Sequence, residues 1–402
     1  MPSPRPGQTD ASGTTARQTD DDAASNSSSR DSHVRGDGQE EPVSNEDNEG
    51  GYDFDDDDDD YGDDDDDETS SNYSSVTGDS LPPLNIYGHS YHGSGRIYIP
   101  HDADEDERLR LQHELYKLCL DGRLHDVKLP IEDEQEGNRD GGRGGDEKFH
   151  ILDVGSGNGL WALDVARRYP SADVLGVDIS SAMLPKDVPA NLTFEIADVA
   201  EPWPPRLYDF IHIRNLAGGG VRDWDRLLTE ALAHLKPGGA LEFSEIRPRF
   251  YGVDAAGAPD LSEGCEAPVI GQACLEYERL FYDLARREGV NFDPVRRVSE
   301  WLAESEAEAL RERVDWLPVA GAGNDPIMRK KGEILARMIE VGLESWTMML
   351  FYRSGRGEAE TRALLERVKE ETISPELRSY FNLTFITARK PITAGPVQQD
   401  AT

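Results

Sequence analysis

The sequence predicts an α/β fold, a doubly wound and mostly parallel sheet, on three observations. From residue 149 onward, mostly apolar strands alternate with helical stretches, the pattern of a parallel sheet covered on both faces. A glycine-rich turn, GSGNG from Gly155, directly follows the first of these strands and opens a helix. An aspartate closes each of the first three strands, Asp153 one residue before the end of its own, then Asp178 and Asp198.

What precedes the sheet is of two kinds. Residues 1–80 hold 25 acids and four arginines without a lysine, a net of −21, and include the run YDFDDDDDDYGDDDDDE from Tyr52. Such a stretch cannot bury enough apolar surface to offset its ordering entropy, and it is expected to be a disordered acidic tail. It either keeps the chain soluble or serves as an arm for a basic protein partner. Residues 81–130 are a lead-in ending in a lid helix, Ala103 to Leu120. Pro100 and Asp102 open that helix, Leu109, Leu111, Leu115, Leu118 and Leu120 give it an apolar side, and Gly122 stops it. Residues 131–148, rich in charge and glycine, read as a flexible connector, and 149–391 as the folded domain.

Within that domain the predicted strands are Phe149–Val154, Asp173–Asp178, Thr193–Ile196, Tyr208–Arg214 and Ala240–Ile246, the last approached through a tight turn at Gly238-Gly239. Predicted helices are Gly159–Tyr169, Asp223–Leu235, Gln272–Arg287, Val298–Leu310, Pro326–Glu340 and Glu360–Glu371. Val314–Val319 fits a strand, and Leu383–Ala388 is the last clear one. Residues 392–402 read as a second disordered tail.

Charge and cysteine content narrow the classes. The chain carries a net −38, of which −17 falls on residues 81–402, a field that disfavours a broad nucleic-acid surface. Cys119, Cys265 and Cys274 lack metal-ligand spacing, so no metal is expected, and they suit reduced thiols of an intracellular protein, nuclear or cytoplasmic. No apolar stretch reaches membrane-spanning length.

The acids choose the ligand of the glycine turn. A dinucleotide would set its anionic diphosphate beside Asp153, where a carboxylate repels it. S-adenosyl-L-methionine has no phosphate and carries an ammonium and a sulfonium, so Asp153 favours it, directly, through water, or by tying down loop amides. Gly155, Gly157 and Gly159 permit close backbone approach. Asp178 is placed to accept from both ribose hydroxyls, or else caps locally; Asp198 is placed to meet the adenine amino group, with Ile179 and Val199 flanking the purine. His212 and Arg214 end the fourth strand, where such sheets open their ligand crevice, and Glu245 ends the fifth. A hydroxyl acceptor would want a base, His212 first and Glu245 second, unless His212 only packs locally. Asn215, beside the glycine-rich loop 216–220, is a further candidate.

On YIPHDADEDERLRLQHEL from Tyr98, ILDVGSGNGLWALDVA from Ile151, FIHIRN from Phe210, RDWDRLLTEALAHLKPGGALEFSE from Arg222 and the ending LTFITARKP, the sequence resembles the fungal LaeA-like methyltransferases, a branch of the class I S-adenosylmethionine-dependent group. The resemblance spans about Tyr87 to Pro391. It implies a seven-stranded Rossmann-like sheet with an N-terminal helical lid and a C-terminal cap insertion, assigned here to 311–352. It implies methyl transfer to a small metabolite or protein linked to secondary metabolism, or regulation by a cofactor-binding protein with little turnover. Tyr98, Arg108 and His113 would lie in the segment closing over the cofactor, Trp161 just after the glycine turn, and His212 and Arg214 at the methionine end. The turn reads GSGNG where the family commonly has GTGTG, and VAGAGND at Val319–Asp325 lacks the family's tryptophan-containing turn.

Overall fold

A computed structural model describes residues 81–131, 148–252, 271–319, 325–374, 377 and 379–392. The acidic tail, nearly all of the charged connector and 393–402 lie outside the described residues, as does Cys265. Among the described residues nine strands run β1 (Leu84–Ile86), β2 (His89–Tyr91), β3 (Phe149–Val154), β4 (Ala172–Asp178), β5 (Leu192–Ile196), β6 (Tyr208–Arg214), β7 (Leu235–Ile246), β8 (Glu308–Pro318) and β9 (Tyr380–Arg389). The described helices are α1 (Ala103–Cys119), α2 (Leu160–Arg168), α3 (Trp224–Ala233), α4 (Gln272–Glu288), α5 (Val295–Glu304), α6 (Pro326–Gly342), α7 (Met348–Arg353) and α8 (Glu358–Thr372).

Seven strands form one sheet in the order β5-β4-β3-β6-β7-β9-β8. β3 to β7 pair in parallel, and β9 inserts antiparallel between β7 and β8. The chain reverses its direction of travel between β3 and β6, and the crevice beyond their carboxyl ends is where such sheets bind ligands. Alternate residues of each strand feed opposite cores. Ile151 joins Trp161, Ala162 and Val165 of α2 on one face, while Leu152 and Val154 join Leu227, Leu228 and Leu232 of α3 and Val298 and Leu302 of α5 on the other. Each such Leu, Ile or Val, fully buried, contributes roughly 1.5–3 kcal/mol. A third cluster binds α1 to α4, α6, α7 and α8 and roofs the crevice.

Helix α1 begins where predicted because the Asp102 carboxylate accepts from Glu105 N–H, and acids fill its first turn. Two expectations are corrected. The helix predicted over Val298–Leu310 stops at Glu304, and Glu308 starts β8, an edge strand whose exposed charges mimic a helical surface. Consequently residues 311–318 of the expected cap belong to the sheet, while α6, within the remainder, lines the crevice through Leu335 and Met338. The fifth predicted strand, β7, already runs from Leu235, with an irregular register against β6 between Tyr208 and Phe210, so Gly238 at φ 76° is a kink within it. The short hairpin β1–β2 was not foreseen. No described helix is long and apolar enough to cross a membrane.

Candidate active site

Three strand ends carry the acids to one place. Asp153, Asp178 and Asp198 all line a cavity of about 210 Å³, far beyond the roughly 10–15 Å³ that a single water requires. Gly155, Gly157, Ile179 and Val199 line it at the same end; Arg214 lines it as well, and Arg108, Asn215 and Glu245 line it toward the roof.

The glycine turn is tied to β4. Gly155 N–H and Ser156 N–H both donate to Val177 O at 2.8 and 3.0 Å, and Gly157 N–H donates to Asp178 Oδ2 at 2.7 Å. Gly159 N–H donates to Ser156 O at 2.9 Å. Four amides of the turn are therefore committed inside the protein, which leaves a poor cradle for a diphosphate. Burial pushes the Asp178 carboxyl up to about 6, against the opposing bonds from Gly157 and Ser180 N–H.

Asp153 is buried, and its Oδ1 accepts from His212 Nδ1–H at 2.8 Å. Its Oδ2 is buried without a partner among the described residues. An orphaned carboxylate oxygen beside an organic-sized cavity suits a cationic ligand group, and the acids of β4 and β5 suit ribose and adenine donors. The residues present thus fit S-adenosyl-L-methionine. Asp198 is at present engaged by Arg96, whose side chain is 44 % exposed.

Several expected contacts fall outside the cavity lining. His212 is sealed behind Asp153, its ring stacked on Trp161 at 3.6 Å and 4°. Burial holds its imidazole down near 4, so it is a neutral donor to Asp153 and cannot reach an acceptor as a base. Trp161 gives its indole N–H to Leu124 O at 2.7 Å and braces His212. Tyr98 packs edge-on against Phe292, and its hydroxyl donates to Glu288 Oε2. His113 bridges α1 to α2: Nε2 meets Asp164 Oδ2 at 3.0 Å, and Nδ1 accepts from Arg214 at 3.3 Å. Gly159 caps α2 at φ 70°, and a Cβ there would come within 2.6 Å of Phe194, so its role is close packing. The tryptophan and histidine expected to touch the cofactor thus form a second layer.

Sequence reasoning missed Glu242. It stands beside His212 in sheet register, buried, accepting from Asp126 and Val127 N–H at 2.7 and 3.0 Å. Its burial among apolar strand neighbours in LEFSE was the available signal.

A methyltransferase-domain family model matches residues 134–312. The chain is 29 % identical to the methyltransferase pytC of Aspergillus terreus over 76 % of this chain and 87 % of the relative. It is 28 % identical to the secondary metabolism regulator LAE1 of Cochliobolus heterostrophus, over 76 % and 94 %. It is 26 % identical to the protein-methionine methyltransferase laeA of Emericella nidulans, over 76 % of each. Residues 134–312 thus match a methyltransferase domain, and the chain as a whole is similar to the fungal LaeA-like methyltransferases and regulators. The methyltransferase uses S-adenosyl-L-methionine, and its acceptor is unidentified. In this methyltransferase the roof is laid by α1 and α6. Arg108 on α1 pairs in two-pronged fashion with Glu105 at 2.6 and 2.7 Å, and passes where a side chain on Gly342 would collide with it.

Proposed function

We propose that the methyltransferase acts on a small metabolite or a protein, inside the cell and in connection with secondary metabolism, with the acceptor held beneath α1 and α6. The observation that supports the methyl donor is the orphaned Asp153 Oδ2 at the mouth of a glycine turn whose amides are already spent, and the link to secondary metabolism draws on the regulator named among the relatives. When bound, the cofactor supplies an electrophilic methyl group on a sulfonium.

The chain's own residues then divide the work. Asp153 takes the amino group of the methionine end, held in place by neutral His212. Arg214 takes the carboxylate, since it has no ion-pair partner among the described residues and meets only His113 and the Tyr116 ring. Asp178 accepts from the ribose, Asp198 from adenine after Arg96 yields, and Ile179 and Val199 flank the purine. Gly155 and Gly157 let the backbone approach. Arg108 sets the roof rather than the cofactor floor, which supports alignment of the acceptor lone pair as the main contribution to rate. The acidic tail is assigned to basic partners by its charge.

Calorimetry with S-adenosyl-L-methionine and with NAD, on the chain and its Asp178→Ala variant, tests the cofactor assignment. The expected result is a methyl-donor complex lost in the variant and no NAD complex; tight NAD binding would overturn it. A second reading, regulation with little turnover, draws on the regulator named among the relatives. Methyl transfer to a purified acceptor separates the two.

A further inference from the structure

The ends of β6 and β7 hold two polar groups that the cofactor assignment does not use. Asn215 adopts φ 48°, a left-handed conformation uncommon for a residue other than glycine, directly after β6. Its Oδ1 accepts from Ile246 N–H at 2.9 Å and from the Tyr116 hydroxyl at 3.0 Å. A backbone N–H can only donate, so the amide orientation is fixed, and Nδ2 is the end left buried and unpartnered among the described residues. Leaving such a donor unmet costs on the order of 1–3 kcal/mol, so a backbone that holds it there has a use for it.

Glu245 lies alongside. The strands are joined by Asn215 N–H donating to Ser244 O at 2.9 Å, and both residues line the cavity. Glu245 is only 3 % exposed and has no basic partner among the described residues; its Oε2 accepts from Ala217 N–H at a long 3.4 Å. Arg108 faces it from α1 but is committed to Glu105, and Tyr116 also faces it from α1. Asp293, paired with Arg247, adds like charge. A buried carboxyl without a counter-ion keeps its proton, and burial pushes this one well above the ordinary range.

The same cavity is lined by apolar Phe292, Leu335, Met338, Trp346 and Phe381, together with Arg108 and Gln112 of α1. Building on the methyl-transfer reading, we propose that Asn215 and a neutral Glu245 form a donor pair that grips an oxygen of an apolar methyl acceptor. The acceptor's methylated atom then carries its free lone pair before binding. That lone pair forms the bond to the methyl carbon as the methyl–sulfur bond breaks, and the broken bond's electrons stay on sulfur. Glu245 takes no proton in the step. The pair selects a carbonyl or carboxylate oxygen over an ammonium, whose charge a neutral Glu245 does not offset.

The full chain is first loaded with S-adenosylhomocysteine, followed by calorimetry; failure to load would break the methyl-transfer reading itself. On the loaded protein at pH 7, the infrared carbonyl band of neutral carboxylic acids should lose one component in Glu245→Gln, the remainder coming from groups such as buried Glu242. Glu245→Gln should also gain thermal stability over the parent as pH rises from 5 to 8, because a carboxyl whose folded pKa is raised loses stabilisation above its unfolded pKa. Acetophenone should bind the loaded protein and benzylammonium should not. Asn215→Ala should weaken acetophenone about ten-fold, the loss of one hydrogen bond. An ionised Glu245 in the loaded protein overturns the proposal. So does a preference for benzylammonium, or the absence of saturable acetophenone binding.

Discussion

The two ends of the cavity are built on different principles. The floor comes from one stretch, 149–199, where three strand ends deliver Asp153, Asp178 and Asp198 and the turn amides are tied back to β4. The roof is gathered from α1, Asn215, Glu245, α6 and Phe381, pieces that share no local sequence. On the floor, Asp178 accepts from Gly157 and Ser180 N–H and Asp198 from Ala200 N–H, while His212 holds Asp153; on the roof, Arg108 is held by Glu105 and Gln112 of its own helix. Damage to the floor should therefore remove cofactor binding, and damage to the roof should spare it.

The largest effect is expected from Asp178→Ala, which should weaken cofactor binding by about 30-fold or more, the worth of charge-assisted hydrogen bonds at roughly 1.5–3 kcal/mol. Equal affinities by calorimetry would break the contrast at its base. Next comes His212→Ala. Because His212 touches Asp153 and Trp161 and not the cavity, cofactor affinity should fall about ten-fold together with thermal stability, as befits removal of one partner of a buried pair. A loss of turnover with affinity intact would restore it as a base.

Gly342→Val tests the roof. A side chain there displaces Arg108, and such overpacking typically costs about 1–3 kcal/mol of stability. Affinity for S-adenosylhomocysteine should change less than three-fold, the measurement that separates roof from floor. pH should sharpen the same distinction through Asp178. Its carboxyl is raised to about 6, so its share of stability in the free protein is present at low pH and lost as pH rises through that value. Cofactor binding runs the other way, since the ionised carboxylate is the better acceptor, and affinity should fall as pH drops below about 6. The smallest effect is Arg96→Ala, an exposed partner of Asp198, whose removal should move stability by no more than about 1 kcal/mol.

Legibility in the sequence followed the same divide. The strands from Phe149 to Arg214 were readable almost to the residue, since apolar runs and glycine or aspartate ends mark them locally. β8 was misread because an edge strand with a polar face, here Glu308, Arg311, Glu312 and Arg313, carries no periodicity that excludes a helix. At the site, the lining role of Asp153, Asp178, Asp198, Ile179 and Val199 was placed from their strand ends. The exclusion of His212, Trp161, Tyr98 and His113 from the cavity depends on which neighbour reaches each ring first.

By itself the sequence determined the parallel sheet, the glycine turn and the row of acids. Hydrophobic period and turn chemistry act over a few residues and need no distant partner. Tertiary structure alone decided that His212 is sealed behind Asp153, that Arg108 is matched by Glu105, and that Glu245 lies next to Asn215 without a cation. Protonation and reach depend on burial and on counter-charges brought from elsewhere in the chain, and those are known only once the helices have packed.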